Sequence, residues 1–201
     1  MHVLAVENVM ARQTGSRLKA NEVKRLAVED IGALGYGADV SRGLQANVAV
    51  LETLKGEIAA LERWLHERVQ LHSDYVVLTT VPGIGRTLAT VIMLETGSVE
   101  RFAKVGNFAS YARCVDSAHL SNNKKKGQGN VRNGNKYLAW AFIEAANMAK
   151  RWSPEAKRFH ERKKARTNGI VATKALAHKL ARACYHMLKT GEQFNVKRCF
   201  G

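Results

Sequence analysis

A serine followed by closely spaced lysines is the part of the sequence best suited to chemistry on a phosphate group. It lies in the stretch VDSAHLSNNKKKGQGNVRNGNKYLAW, residues 115–140, where Ser121 precedes the lysines. A serine hydroxyl is a weak nucleophile unless a base, a metal or strong electrostatic stabilisation assists it. Cationic side chains supply such stabilisation by balancing charge on the phosphate oxygens. The predicted phosphate contacts in this loop are Lys124, Lys125, Lys126, Arg132 and Lys136.

Two interpretations of this loop stay open from the residue types alone. Serine is common in loops, so a phosphate-binding loop is a more frequent arrangement than a nucleophilic one. In either case the glycines and asparagines between residues 127 and 135 would let the backbone approach a phosphate closely. His119 is a candidate base for Ser121, but the sequence does not separate that role from an ordinary place in the loop.

Other arrangements of chemically active residues are weak. The seven histidines show no metal-ligand spacing such as HExxH. The three cysteines are far apart and form no CxxC pair, which indicates a reducing compartment and neither a disulfide framework nor a zinc site. No group of carboxylates has the spacing to hold metal ions for phosphoryl transfer. We therefore predict no metal or cofactor site within this chain.

The charge of the chain is strongly uneven. Lys and Arg number 32 against 17 Asp and Glu, a net charge of +15. Residues 1–100 carry 10 basic and 12 acidic side chains, whereas residues 101–201 carry 22 and 5. This asymmetry is typical of nucleic-acid binding, because each neutralised phosphate releases counterions. An acidic membrane surface would attract the same charge, but no basic amphipathic anchor or spanning apolar run is visible. We expect an intracellular protein with nucleic acid as its partner and no membrane contact.

The elements that must position the basic loop are predicted to be helical. Only two prolines occur, and the segments between loops are rich in Ala, Leu, Lys and Arg, which favour helix over strand. We predict an all-α fold in four parts. These are N-terminal helices at 1–38, a long coiled-coil arm at 39–74, a helical bundle at 75–190 that contains a helix-hairpin-helix and the basic loop, and a tail at 191–201.

The predicted arm rests on apolar side chains that recur every three and four residues. The positions are Leu44, Leu51, Ile58 and Leu65 in one heptad place and Leu54 and Leu61 in the other. Three heptads are the lower limit for predicting a coiled coil, so a helix packed on its own domain remains the alternative. A coiled coil would make the protein a homo-oligomer.

The stretch VPGIG, residues 81–85, is typical of the turn of a helix-hairpin-helix. Its glycines permit a tight turn, and the backbone N–H groups at the start of the next helix can meet a phosphate. Such contacts fix the position of the protein on the backbone without reading the base sequence. The predicted contacts are Gly83, Gly85 and Arg86.

An apolar helix and two basic helices are predicted after the loop. The apolar residues Tyr137, Leu138, Trp140, Phe142 and Ile143 surround most of the first helix, so we expect it at the centre of the core. The two later helices would present a continuous basic groove, although a solvated polar face is the plainer interpretation of each. The nucleic-acid contacts predicted on them are Arg162, Lys163, Lys164, Lys174 and Arg182.

The chain closely resembles the C-terminal region of the bacterial insertion-sequence transposases that include the Piv-type DNA invertases. The segment ENVMARQTGSRLKANEVKRL resembles the one before their coiled coil, so the likeness covers nearly the whole chain. The motifs that carry it are VPGIG, LATVIMLETG, RFAKVGNFASYARCV, HLSNNKKKGQGNVRNGNKYLAWAFIEAA, RFHERKKARTNG and ATKALAHKLARACYHML.

The resemblance implies a transposase, a site-specific DNA recombinase with two catalytic parts. One is a RuvC-like domain whose four acidic residues bind magnesium, and the other is a C-terminal domain with a nucleophilic serine. It also implies a structured guide RNA that pairs with donor and target DNA. The family's serine position matches Ser121, although Leu120 stands where many relatives carry a second serine.

One departure from the family pattern is large. No RuvC-like strand order or acidic quartet is present, since Glu7, Glu22, Glu29 and Asp30 lie in helical sequence. We therefore expect a C-terminal piece that binds nucleic acid but does not recombine DNA alone, with magnesium needed only alongside the missing acidic domain. The alternative is a non-catalytic DNA- or RNA-binding module or remnant. A weaker third possibility is a repair or ribosome-associated helix-hairpin-helix protein.

Overall fold

The structure is a computed structural model of the 201-residue chain. It describes residues 1–115, 118–121, 124–128 and 133–201, and for 118–121 and 124–128 it describes the backbone. These residues are helical apart from one short pair of strands, which confirms the all-α prediction. They divide into two compact units, Met1–Leu65 and His66–Gly201.

The first unit is built from short helices around the start of a long one. It contains α1 (His2–Thr14), α2 (Ala20–Val23), α3 (Val28–Gly32) and the larger part of α4 (Ala38–Val69). Carboxylates begin the two shortest helices, since Glu22 Oε2 accepts the Lys19 N–H at 2.7 Å and Asp30 Oδ2 accepts the Ala27 N–H at 2.8 Å. Its small core consists of Val6, Met10, Val23, Ile31, Leu44 and Val48.

The apolar side chains of α4 are buried near its start and exposed further along the helix. Leu44 and Val48 are buried in the core of the first unit. Further along, Leu54, Ile58 and Leu61 are 50%, 55% and 59% exposed. The apolar stripe that the sequence presents as continuous is therefore covered at its start and open over its later turns.

The second unit carries most of the elements. In chain order they are α5 (Ser73–Thr79), α6 (Arg86–Thr96), a 3-10 helix (Val99–Arg101), α7 (Val105–Tyr111), β1 (Ala118–Ser121), β2 (Lys124–Gln128), α8 (Lys136–Trp152), α9 (Pro154–Arg166), α10 (Gly169–Thr190) and α11 (Val196–Phe200). The two strands pair antiparallel within the stretch that the sequence analysis treats as a loop. The last helix lies in the predicted tail and packs against α9 and α10.

The core of the second unit forms around α8 and α10, which pack on each other and on their neighbours. Ala141, Ala145 and Ala149 on α8 are fully buried, and such small side chains let neighbouring backbones approach closely. The prediction that α8 is central holds for Leu138 and Phe142, which are fully buried. It is wrong for Tyr137 and Trp140 on the same helix.

Tyr137 and Trp140 remain 52% and 49% exposed because the neighbours of α8 cover only part of its circumference.

Aromatic contacts connect α7 to this core. The Phe108 and Phe142 rings meet edge to face at 6.0 Å between centroids. The buried Tyr185 hydroxyl on α10 donates a hydrogen bond to the Phe102 carbonyl at 2.9 Å. Among the described residues, no helix combines the length and the apolar character needed to cross a bilayer.

Candidate nucleic-acid interface

The turn between α5 and α6 is held by a backbone hydrogen bond and by packing on α8. Val81 and Ile84 are buried, and the Ile84 N–H donates to the Val81 carbonyl at 3.0 Å. Gly83 has φ +89°, and a Cβ there would lie 2.5 Å from the Ala145 carbonyl oxygen and the Ala149 nitrogen. Only glycine therefore fits at this point, where the turn rests on α8.

The outer side of the same turn is open. Gly85 is the residue before α6, no side-chain hydrogen bond caps the helix there, and a Cβ on Gly85 would meet nothing within 4 Å. Gly85 and Arg86 are both exposed. Because the first N–H groups of a helix have no partner within it, this end of α6 presents donors and a cation to solvent.

The strand pair brings the predicted serine opposite a lysine. Ser121 pairs with Lys124 and Leu120 with Lys125. The register shifts between His119 and Leu120, and Lys126 falls opposite that shift. Arg132 lies outside the described residues, and the side chains of Ser121 and the three lysines lie outside them as well.

The chain segments before residue 114 and after residue 133 are joined by hydrogen bonds, and this junction is here called the base of the strand pair. Arg113 Nη2 donates to the Gly134 carbonyl at 2.9 Å, and the Asn135 N–H donates to the Tyr111 carbonyl at 2.7 Å. Arg113 adopts φ +53°, which is strained for a residue with a side chain. The strain persists because the surrounding hydrogen bonds fix the backbone here.

Asn135 connects three elements at that base. Its Oδ1 accepts the N–H groups of Tyr137 and Leu138 and so caps α8, while its Nδ2 donates to Glu95 Oε2 of α6 at 2.6 Å. The same Nδ2 lies 3.5 Å from the Tyr111 hydroxyl. This bond, together with one from Arg101, lowers the pKa of Tyr111. The Arg101 guanidinium lies 4.6 Å from the centroids of the Phe102 and Tyr111 rings.

Glu95, Arg101 and Arg113 contribute to this junction, although their sequence context does not predict them as site residues. Asn135 does carry a recognisable signal, because an asparagine directly before an apolar helical run is a common N-cap. Nothing in the local sequence points to Glu95, which lies 40 residues earlier and reaches Asn135 only through the packing of α6 on α8.

The predicted basic residues on α9 and α10 lie in different surroundings. Arg162, Lys163 and Lys164 are exposed, and Lys164 Nζ lies 3.9 Å from Glu161. Lys174 is half-buried. Burial raises the pKa of Cys114 to about 12, and the charge of Lys174 opposes this effect. Lys163 and Arg182 line one cavity at the C-terminal end of the chain.

The part of the chain that the structure describes contains no arrangement of side chains suited to binding a metal ion. No group of three or more His, Cys, Asp or Glu side chains there is arranged to hold an ion. The magnesium that the family resemblance implies therefore finds no carboxylate cluster among the described residues. The second half instead offers donors and cations to an anionic partner.

Comparison with known proteins places this arrangement in context. Residues 75–161, from α5 to α9, match the model of a family described as "Transposase IS116/IS110/IS902 family". The chain is also 29% identical over 136 residues to the "Insertion element IS110 uncharacterized 43.6 kDa protein" of Streptomyces coelicolor. That alignment covers 66% of this chain and 33% of the relative, so the chain spans about a third of the relative's length. The body that carries the strand pair and the α5–α6 turn is thus similar to insertion-sequence transposases of this group.

Proposed function

We propose that the chain is the serine-bearing, nucleic-acid-binding part of a transposase that acts in insertion-sequence transposition. The observation that carries this proposal is the transposase family match over residues 75–161. The matched segment contains Ser121 and the lysines of β2, together with the α5–α6 turn and most of α9. The uneven charge of the chain supports DNA as the partner.

In the proposed reaction Ser121 attacks a phosphodiester of DNA. The serine oxygen forms a bond to phosphorus, the bond to one bridging oxygen breaks, and that oxygen takes up a proton while the serine proton passes to a base. Lysines beside the serine would balance the charge that develops on the phosphate oxygens. The register supports this role, because Lys124 is the strand partner of Ser121.

The α5–α6 turn and the basic helices would hold the DNA backbone. Gly85 and Arg86 are exposed at the start of α6, where unpartnered N–H groups favour a phosphate. We propose this turn as a helix-hairpin-helix contact, with Gly83 serving to seat the turn on α8. A structured guide RNA is a second proposed partner, since its phosphates offer the same charge.

Self-association through α4 is part of the proposal. Leu54, Ile58 and Leu61 are each at least half exposed along the later turns of the helix. Their spacing of four and three residues is that of a coiled-coil seam. Such a seam would place two nucleic-acid-binding units in one assembly.

A direct test of the serine uses the chain together with a RuvC-like acidic domain supplied separately from a related transposase. The expected result is a covalent DNA–protein adduct that survives denaturing electrophoresis and is absent with Ser121→Ala. The matched control is Ser110→Ala, which removes an exposed hydroxyl from α7 and should leave the adduct unchanged. An adduct of undiminished yield with Ser121→Ala would contradict the nucleophilic role.

The second candidate function is a non-catalytic binding module. It is favoured by the lack of a carboxylate cluster among the described residues, since phosphoryl transfer in this class of enzyme needs metal ions. Under that function, Lys124→Gln and Lys125→Gln would change affinity alone, and no adduct would form even with the acidic domain present. Binding that does not weaken with rising salt would contradict both functions, because counterion release makes phosphate contacts salt-dependent.

A further inference from the structure

The second unit contains a cavity of about 650 Å³ between α9, α10 and the segment at residues 192–199, here called the C-terminal cavity. Sites for small molecules typically enclose about 300–1,000 Å³. The cavity is distinct from the strand pair and from the α5–α6 turn, because none of its lining residues belongs to those elements. The volume of the cavity is therefore within the range of sites that bind small molecules.

The segment that closes the cavity is held in place from several sides. The Phe194 N–H donates to the Thr80 hydroxyl oxygen at 3.0 Å, which fixes the segment to the end of α5. Arg198 Nη1 lies 3.0 Å from Glu192 Oε2. The Phe200 ring lies 6.1 Å from the Phe159 ring and 6.4 Å from the Phe194 ring, measured between centroids. The wall is thus a folded part of the unit, anchored at three points.

One side of the cavity is apolar and aromatic. Phe159 of α9 and Phe194 line it together with Met187 of α10. Both phenylalanines are half-buried, and Lys179 Nζ, which also lines the cavity, lies 5.3 Å from the centroid of the Phe159 ring. An aromatic wall of this kind favours a flat ring system, and nucleic-acid bases stack on such side chains with little regard to sequence.

The cavity is also lined by cationic side chains. Arg182 and His186 of α10 and Lys163 of α9 line the cavity and are exposed. Neither Arg182 nor Lys163 has an acidic partner among the described residues. His178, one turn before Arg182, also lines the cavity, and burial together with the charge of Arg182 lowers its pKa. Two cations that have no acidic partner in the described part of the chain, together with the phenylalanine rings, suit a ligand that joins a phosphate to a planar ring.

We propose that the C-terminal cavity binds one nucleotide of a single-stranded polynucleotide, with its base against Phe159 and Phe194 and its phosphate toward Lys163 and Arg182. A duplex does not offer this combination, because its bases are stacked and paired and a base must leave the stack to enter a cavity. The inference deepens the proposed function, on which it rests, by adding a single-strand site to the contacts with the duplex backbone. The nucleotide chemistry is shared by DNA and RNA.

The test measures fluorescence anisotropy of labelled oligonucleotides against the full chain. The probes are a short thymidine single strand, a uridine single strand of equal length and a DNA duplex. Phe194→Leu keeps an apolar side chain but removes the stacking ring, and we expect about tenfold weaker single-strand binding with duplex binding unchanged. The matched control is Phe200→Leu, which removes a ring that touches Phe159 and Phe194 but does not line the cavity.

A second variant tests the proposed contact with the phosphate by changing an exposed side chain. Arg182→Gln removes an exposed lining charge and should lower the salt dependence of single-strand binding by about one unit of slope. Its control, Arg151→Gln, removes an exposed charge at the end of α8 and should leave that slope unchanged for the single strand. Circular dichroism verifies that each variant is folded.

The outcomes separate this inference from the proposed function. Equal effects of Phe194→Leu and Phe200→Leu, or duplex binding without any single-strand binding, would overturn the cavity proposal and leave the proposed function standing. Failure of the chain to bind either duplex or single strand would overturn both. If the single-strand defect of Phe194→Leu appears only with thymidine or only with uridine, the cavity is assigned to DNA or to RNA respectively.

Discussion

Two glycines in the same turn perform different physical tasks. At Gly83 the backbone has φ +89° and a Cβ would overlap the backbone of α8. At Gly85 the backbone is extended, with φ −86° and ψ −173°, and the space around it is empty. The two glycines stand on either side of Ile84 in the sequence, but packing requires a glycine only at position 83.

Gly83→Ala is therefore expected to destabilise the chain much more than Gly85→Ala. The added methyl group must displace the α8 backbone, and overpacking of this kind costs about 1–3 kcal/mol. The Gly85 variant should stay within about 0.5 kcal/mol of the parent, as exposed substitutions usually do. Urea denaturation followed by circular dichroism compares the two. Equal free energies of unfolding for both variants would show that the contact with α8 is absent.

Ser153 links α8 to α9 and gives a prediction that depends on pH. Its hydroxyl oxygen accepts the Ala156 N–H at 3.2 Å, and its hydroxyl donates to Glu155 Oε2 at 3.1 Å. Ser153→Ala should lower the free energy of unfolding by about 1 kcal/mol at pH 7. Ser98→Ala, which removes the exposed cap of the 3-10 helix, is the control and should cost less.

The sign of the pH effect follows from Glu155. Backbone and Ser153 hydrogen bonds lower the pKa of Glu155 from its ordinary value of 4.5. A lowered carboxyl pKa in the folded state adds stability above that value, and the stability is lost as pH falls through the folded pKa. The difference in free energy of unfolding between the parent and Ser153→Ala should thus become smaller as the pH is lowered from 7 to below the folded-state pKa of Glu155. A difference that becomes larger over that interval would contradict the hydrogen bond between Ser153 and Glu155.

The elements around the strand pair depend on one side chain at their junction. Asn135 caps α8 and also reaches Glu95 of α6. Asn168 caps α10 through the Val171 N–H and makes no such link to another helix within the described part of the chain. The position of the strand pair relative to the bundle should therefore respond to Asn135 in particular.

We expect Asn135→Ala to cost more stability than Asn168→Ala, by about 1 kcal/mol, because it removes a charge-assisted hydrogen bond as well as a cap. Hydrogen exchange should also become faster for the backbone amides of β1 and β2 in the Asn135 variant. In the Asn168 variant exchange should rise only at the start of α10. Faster exchange in the strands of both variants would mean that the link to Glu95 does not hold the base of the strand pair.

For the molecule as a whole, the proposed self-association depends on the open stripe on α4. The core of the first unit already covers Leu44 and Val48, so the seam left for a second copy runs over about two heptads. This is shorter than the three heptads of the sequence pattern, and it predicts a weak, concentration-dependent association.

Leu61→Glu places a charge within that open stripe and should make the chain monomeric at all concentrations. Glu62→Gln changes an exposed charge next to it and is the matched control. Sedimentation equilibrium of the parent, the variant and the control measures the effect. A parent that remains monomeric at high concentration would rule out α4 as an association surface.

The sequence by itself determined the properties that depend on neighbours along the chain. Composition and the rarity of proline predicted helices, and the charge count located the cationic half. The signal at Pro82–Gly85 identified the sharp turn between α5 and α6, because glycine and proline set backbone angles locally. The serine and lysines of the strand pair were also selected from sequence, and their roles remain predictions.

Only the tertiary structure decided the features that join residues distant in the chain. Phe159 and Phe194 share a cavity with Arg182 because the residues after α10 fold back against α9. Tyr137 and Trp140 stay exposed although their helix is central, and half of the α4 stripe is covered while the other half is open. The physical reason is that periodicity fixes which residues share a helix face, whereas the packing of other helices fixes which face loses its contact with water.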